Sequence, residues 1–197
     1  MASGRSVVRI TSFGCGGVVS GSGFVIKPRL IITNAHVIAG VARPIIKTGT
    51  ASFAAVPVLF DPNQDIAILK VSGLSLPPIK LAPEHPADGY SFYIAGYPES
   101  IYTIDSGIVL SHQPLSGSNI YGLGAITRSA YTFKGYVAAG SSGSPLLTAS
   151  GQYFGIVFAK SNGLNSVGYG LSAGILSNEV ARLGHSNSKV STGVCYQ

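Results

Sequence analysis

The chain has 197 residues, of which 46% are hydrophobic and 10% charged, with a formal net charge of +6. That length supports one sizeable core, and that balance excludes a disordered chain. The 13 Lys and Arg form no basic run and there is no Trp, so nucleic-acid binding is set aside in favour of a mildly basic globular domain.

No apolar run reaches the ~18–20 residues that a membrane-spanning helix needs. No secretory signal is legible either, because MASGRS is short and the following VVRITS alternates like a strand. Short runs rich in Val, Ile, Phe and Tyr recur along the chain. They predict strands at 6–12, 23–26, 30–33, 52–60 and 66–71, then at 91–96, 102–110, 126–133, 145–148, 153–159 and 167–171. With 26 Gly and 11 Pro between and within them, the pattern is that of an all-β sandwich or barrel. Residues 71–89 lack periodicity and hold four prolines. The chain is therefore read as an N-terminal half at 6–76, a linker at 77–89 and a C-terminal half at 90–197. Only SNEVARL, 177–183, reads as helix, with Ser177 or Asn178 as its N-cap.

Cys15 and Cys195 stand near opposite ends, too isolated for a zinc site. Two readings stay open for them: two unrelated buried thiols, or a bridge tying the C-terminal tail to the first strands in an oxidising compartment.

Three places carry chemistry. In AAGSSGSPLL, Gly140 and Gly143 flank Ser141 and Ser142, and Pro145 sends the chain into a strand. Close glycines allow tight backbone conformations and leave N–H groups open. A nucleophilic serine needs such a loop, with N–H groups converging on the oxyanion. The same run also fits a plain turn between strands. The motif G-x-S-x-G is absent, which counts against an α/β-hydrolase. Of four histidines, His36 closes the apolar strand of LIITNAHVI, whereas His85, His112 and His185 fall in loop or tail contexts. Of seven acids, Asp65 alone opens an apolar strand, DIAILKV. A carboxylate there risks burial without a partner, which an imidazole would relieve. Asp61, in an Asp-Pro-Asn turn, reads as a turn residue. The order His36, Asp65, Ser142 is that of chymotrypsin-type proteases, and differs from the subtilisin and α/β-hydrolase orders.

With TNAHVI, DIAIL, GSSGSPLL and SGSGFVI in place, the chain resembles the trypsin-fold serine proteases of the chymotrypsin clan over nearly its whole length. More narrowly, CGGVVSGSGFVIKPRLIITNAHV, YIAGYPE, YFGIVFAKS and VSTGVC resemble the periplasmic catalytic domain of MarP-type membrane-tethered acid-resistance proteases. The resemblance implies two six-stranded antiparallel β-barrels with a short C-terminal helix. It implies a His36–Asp65–Ser142 triad, an oxyanion hole from the N–H groups of Gly140 and Ser142, and a Cys15–Cys195 disulfide. It implies no metal and no cofactor. The enzyme would be a monomeric serine endopeptidase acting on peptide or protein substrates in the cell envelope during acid or oxidative stress, anchored through an N-terminal transmembrane region that this chain lacks.

Two positions depart from the family pattern. Ser141 stands where Asp or Asn is usual, so an ion pair with a newly freed N-terminal amine cannot form. Ser144 stands where Gly is commoner, which puts the shape of the oxyanion loop in question. For the primary pocket the resemblance points to Tyr136, Phe158, Ala159 and Lys160. No Asp or Glu occurs between Ser106 and Asn178, so a small or medium apolar side chain is expected there rather than Lys or Arg. The other reading from this sequence is a catalytically silent trypsin-fold domain that binds or scaffolds.

Overall fold

A computed structural model describes residues 2–14, 16–49, 51–164, 166–184 and 188–195. Cys15 and His185 lie outside the described residues. Seven strands build the first sheet: β1 (Val7–Gly14), β2 (Gly17–Lys27), β3 (Leu30–Thr33), β4 (Ile45–Lys47), β5 (Ser52–Ala54), β6 (Val56–Asp61) and β7 (Ile66–Lys70). Their spatial order is β5-β4-β1-β2-β3-β7-β6. Six more strands follow: β8 (Ser91–Gly96), β9 (Thr103–Gly117), β10 (Ile126–Gly135), β11 (Pro145–Leu147), β12 (Tyr153–Lys160) and β13 (Val167–Ser172). They close into a barrel in the order β10-β13-β12-β11-β8-β9. The architecture is the trypsin-like one, with one refinement. The second unit is a closed six-stranded barrel, and the first is a curled seven-stranded sheet.

The two strands beyond the five predicted in this half come from two places. Ile45–Lys47 is only three residues long, too short to show a period. The segment predicted as one strand at 52–60 divides at Ala55, whose N–H donates to the Pro44 carbonyl at 2.8 Å. In β6 the register against β7 then shifts between Pro57 and Leu59, as expected where proline supplies no N–H to the ladder.

The two units share apolar contacts. Val8, Ile10, Val25, Ile31 and Ile46 fill the first sheet. Phe92 stacks edge-on against Phe133 and Phe154 at 5.4 Å in each case, inside the barrel. Such pairs each add about 0.5–1.5 kcal/mol beyond simple burial. A third cluster joins Phe24, Ile32 and Ile68 of the first sheet to Leu147, Ile156 and Leu171 of the barrel. Helix α1 (Ala173–Leu183) contributes Leu176 and Leu183 to that same cluster. The helix begins at the N-cap Ser172, earlier than SNEVARL indicated. Ala-Gly-Ile-Leu reads as a continuation of the preceding strand, which hides the start.

The C-terminal tail runs back over the first sheet. Val190 donates its N–H to the Pro57 carbonyl at 2.9 Å, Gly40 donates to the Thr192 carbonyl at 3.0 Å, and the Thr192 hydroxyl donates to the Val41 carbonyl at 3.1 Å. This path ends beside the cleft between the two units.

Candidate active site

Strand β3 buries Ile31, Ile32 and Thr33, and the chain then turns tightly, with the Ile38 N–H donating to the Ala35 carbonyl at 3.0 Å. His36 sits on this turn, with 18% of its side chain exposed. Asp65 stands at the mouth of β7 in the left-handed region, φ +56°, a conformation that Asp tolerates better than most residues. Its carboxylate is engaged twice by one residue. The His36 backbone N–H donates to Oδ1 at 3.0 Å, and the His36 ring Nδ1 meets Oδ2 at 2.8 Å. A carboxylate only accepts, so Nδ1 carries the proton and Nε2 is left as the acceptor. The Asn34 side-chain amide donates to the Asp65 carbonyl at 2.9 Å. Burial disfavours the imidazolium, but the Asp65 charge and hydrogen bond outweigh it and hold the His36 pKa above its ordinary 6.5.

The loop at 138–144 is held from several sides. The Ser141 hydroxyl accepts from the Ala138 N–H at 3.0 Å, and the Ser141 N–H donates to the Ala138 carbonyl at 3.0 Å. Ser141, 2% exposed, thus closes the turn by itself. Gly140 and Gly143 have φ of +94° and +88°. A Cβ on Gly143 would overlap the Ser22 carbonyl oxygen, and one on Gly140 would overlap the Tyr97 carbonyl oxygen. Both positions therefore require glycine. Ser22, in β2, reaches across to this loop. Its N–H donates to the Ser142 carbonyl at 2.7 Å, and its hydroxyl donates to the Gly140 carbonyl at 2.8 Å. The Glu99 N–H donates to the Ala139 carbonyl at 2.7 Å. Among the described residues, no acceptor takes the N–H of Gly140 or of Ser142.

A cleft of about 830 Å³ holds His36, Asp65 and Ser142 together. Phe158 and Ala159 also line it. The register of β12 against β13 shifts between Val157 and Ala159, so Phe158 is the extra residue of a bulge, a device that re-aims a side chain. Tyr136 and Lys160 are exposed and lie outside this lining. Asn119, Ile120 and Tyr121 form another wall. Arg128, 7% exposed, also lines the cleft. Reading the sequence alone missed Arg128, Asn34 and Ser22 as parts of the site.

Cys195 lines the cleft. No cysteine is free among the described residues. The other histidines lie elsewhere. His85 is exposed, and its Nδ1 meets the Tyr131 hydroxyl at 2.8 Å. His112 is not a loop residue: it lies in β9 with its ring stacked on Tyr131 at 4.3 Å. Burial, then the neighbouring His85, lowers the His112 pKa. No cluster of metal-ligating side chains occurs among the described residues.

The Trypsin-like peptidase domain family matches residues 21–156. The serine protease Rv3671c of Mycobacterium tuberculosis is 37% identical over 194 residues, covering 96% of this chain and 49% of that protein. The chain thus spans about half the length of the curated relatives it matches. A probable periplasmic DegP-like serine endoprotease of Pseudomonas putida is 29% identical over 183 residues, covering 88% of this chain and 36% of that protein. The active form of the Rv3671c protease superposes with a TM-score of 0.96 at 36% identity, covering 100% of this chain and 88% of that one. The inactive form superposes with a TM-score of 0.83 at 36% identity, covering 93% and 91%.

Ser144 is fully buried, and its hydroxyl has no partner among the described residues. It fits because Gly96 faces it: a Cβ on Gly96 would overlap the Ser144 hydroxyl. Ser144→Ala is expected to raise stability by about 1 kcal/mol, since it removes an unsatisfied buried hydroxyl. Gly96→Ala is expected to lower it, and Ser144→Gly in the same chain to recover part of the loss. Urea unfolding of the single and double variants checks this, and strict additivity would contradict it.

Proposed function

The chain belongs to the trypsin-like peptidase family and is a serine protease, and from that premise we propose that Ser142, His36 and Asp65 work together as nucleophile, base and orienting carboxylate. Ser142 attacks a peptide carbonyl while His36 Nε2 takes its proton. Asp65 holds the tautomer and stabilises the imidazolium. His36 returns the proton to the leaving amine, and water repeats the cycle on the acyl-enzyme. The N–H groups of Gly140 and Ser142 hold the oxyanion. The observation that carries this reading is the 2.8 Å bond between His36 and Asp65 in one cleft with Ser142. The two uncommitted N–H groups argue against a silent binding module.

Phe158 and Ala159 are proposed as walls of the primary pocket, with Tyr136 and Lys160 at its margin. The proposed preference is for a small or medium apolar side chain, because the barrel strands around the pocket carry no acid from residue 107 to 177. We assign residues 6–76 to the unit carrying His36 and Asp65, 77–89 to the linker, and 90–197 to the unit carrying Ser142. We also propose the Cys15–Cys195 bridge. Gly14, beside Cys15, approaches Val41, and Thr192 bonds the Val41 carbonyl, so hairpin and tail meet at one corner.

The proposed setting is the cell envelope, where a monomeric domain cleaves envelope proteins under acid or oxidative stress. A membrane tether would lie in a part of the protein outside this chain. The likeness to a probable periplasmic serine endoprotease of Pseudomonas putida supports the compartment.

Asp65→Asn is expected to reduce kcat/KM by about 10³–10⁴. It should also move the acid limb of the pH profile. In the native chain activity falls as pH drops through a His36 pKa above 6.5. Without the carboxylate the lowering by burial remains, so the limb moves to lower pH. Near-normal turnover, or a limb that stays put, would contradict the assignment. A peptide library should be cut mainly after small or medium apolar residues, and cleavage concentrated after Lys or Arg would refute the pocket reading.

A further inference from the structure

Arg128 comes from the barrel, at the third residue of β10, yet it reaches the loop of the first sheet that carries Asp65. Its Nε donates to the Asn63 carbonyl at 2.8 Å, and its Nη2 donates to the Ser118 carbonyl at 2.9 Å. Two further bonds draw the same segments together. The Ile120 N–H donates to the Pro62 carbonyl at 3.1 Å, and the Asn119 amide donates to the Asn63 side-chain oxygen at 3.2 Å. A guanidinium that is 7% exposed with no carboxylate within 4.0 Å among the described residues is costly to bury. Its rigid fork suits two carbonyls set at fixed angles, which a lysine could not match.

We infer that Arg128 is a positioning residue, clamping the Asn63–Asp65 loop of the first sheet to the wall of the second unit so that Asp65 meets His36 in the productive geometry. The inference rests on the triad proposed above. His36 and Asp65 come from one unit and Ser142 from the other, so their alignment depends on how the units are tied across the cleft. Arg128 makes that tie two residues from Asp65. Burial disfavours the Arg128 guanidinium, and the Asp65 charge partly offsets that through space. Arg128 touches no reacting atom in this account.

The test is steady-state kinetics on Arg128→Gln and Arg128→Lys, with one-dimensional proton NMR of the His36 Nδ1–H in the bond to Asp65. That proton resonates far downfield and reports the bond directly. Arg128→Gln is expected to lower kcat by about 10²-fold, the scale of an ångström-size misplacement. KM should stay within about twofold, and the downfield signal should be lost or broadened. Arg128→Lys, which keeps the charge but not the fork, should fall between Gln and the native residue. If Arg128→Gln does not fold, Arg128→Lys alone carries the test through the same two readouts.

Unchanged kcat and an intact downfield signal in a folded variant would overturn the inference. So would a change in KM alone, confined to acidic substrates, since Arg128 would then be reading the substrate. Asp65→Asn in parallel separates the two failures. If it abolishes turnover while the Arg128 variants do not, only the clamp is wrong. If it leaves turnover intact, the triad reading itself falls.

Discussion

The site depends on one strand of the first sheet holding a loop of the second unit. Ser22 is fully buried in β2, and every polar atom of it is spent. Its hydroxyl donates to the Gly140 carbonyl and accepts from the Tyr97 N–H at 2.9 Å, its carbonyl accepts from the Thr33 hydroxyl at 2.7 Å, and its N–H holds the Ser142 carbonyl. Removing any of these partners would strand a buried polar group, at about 1–3 kcal/mol. The loop is thus fixed by the neighbour it faces together with its own Ser141 turn, whereas Gly/Ser composition alone would leave it flexible.

The direction of the uncommitted Gly140 N–H follows from a neighbouring bond, that of the Glu99 N–H to the Ala139 carbonyl. In a trans peptide the N–H points opposite to the C=O. The Ala139 carbonyl is aimed at Glu99, so the Gly140 N–H points the other way. Glu99 makes that bond from a left-handed conformation, φ +50°, followed by Ser100 at +72°. Two successive non-glycine residues in this region store strain, which a well-determined surround must hold. With Asp65 at +56°, three of the strained positions stand beside the two halves of the candidate site. The whole chain superposes more closely on the active than on the inactive form of the mycobacterial relative.

What could be read from the sequence was whatever is local. Apolar runs such as LIIT and IAILK show their strands because each buries nearly every side chain. Asp65 stood out because an acid at the mouth of such a run needs a partner, and His36 because it closes another. The glycines around Ser142 marked a loop with special backbone conformations. What could not be read depends on distant segments meeting. Arg128 lies in ITRSAY, where one charged residue in an alternating strand looks like an ordinary exposed one. Its burial exists only because the loops at 61–65 and 118–122 come together from different units. Ser22 is hidden in a Gly/Ser run for the same reason. The start of α1 was obscured because Ala173–Leu176 is apolar and follows directly from β13, and His112 looked like a loop residue because Pro114 stands close behind it in a strand that runs on to Gly117.

The most direct measurement is intact-mass analysis after exposure to a serine-reactive fluorophosphonate, with Ser142→Ala and His36→Ala alongside. The account predicts a single adduct on the native chain, absent in both variants, because only an activated Ser142 with a formed oxyanion site reacts. No adduct on the folded native chain, or an adduct that survives Ser142→Ala, would contradict it.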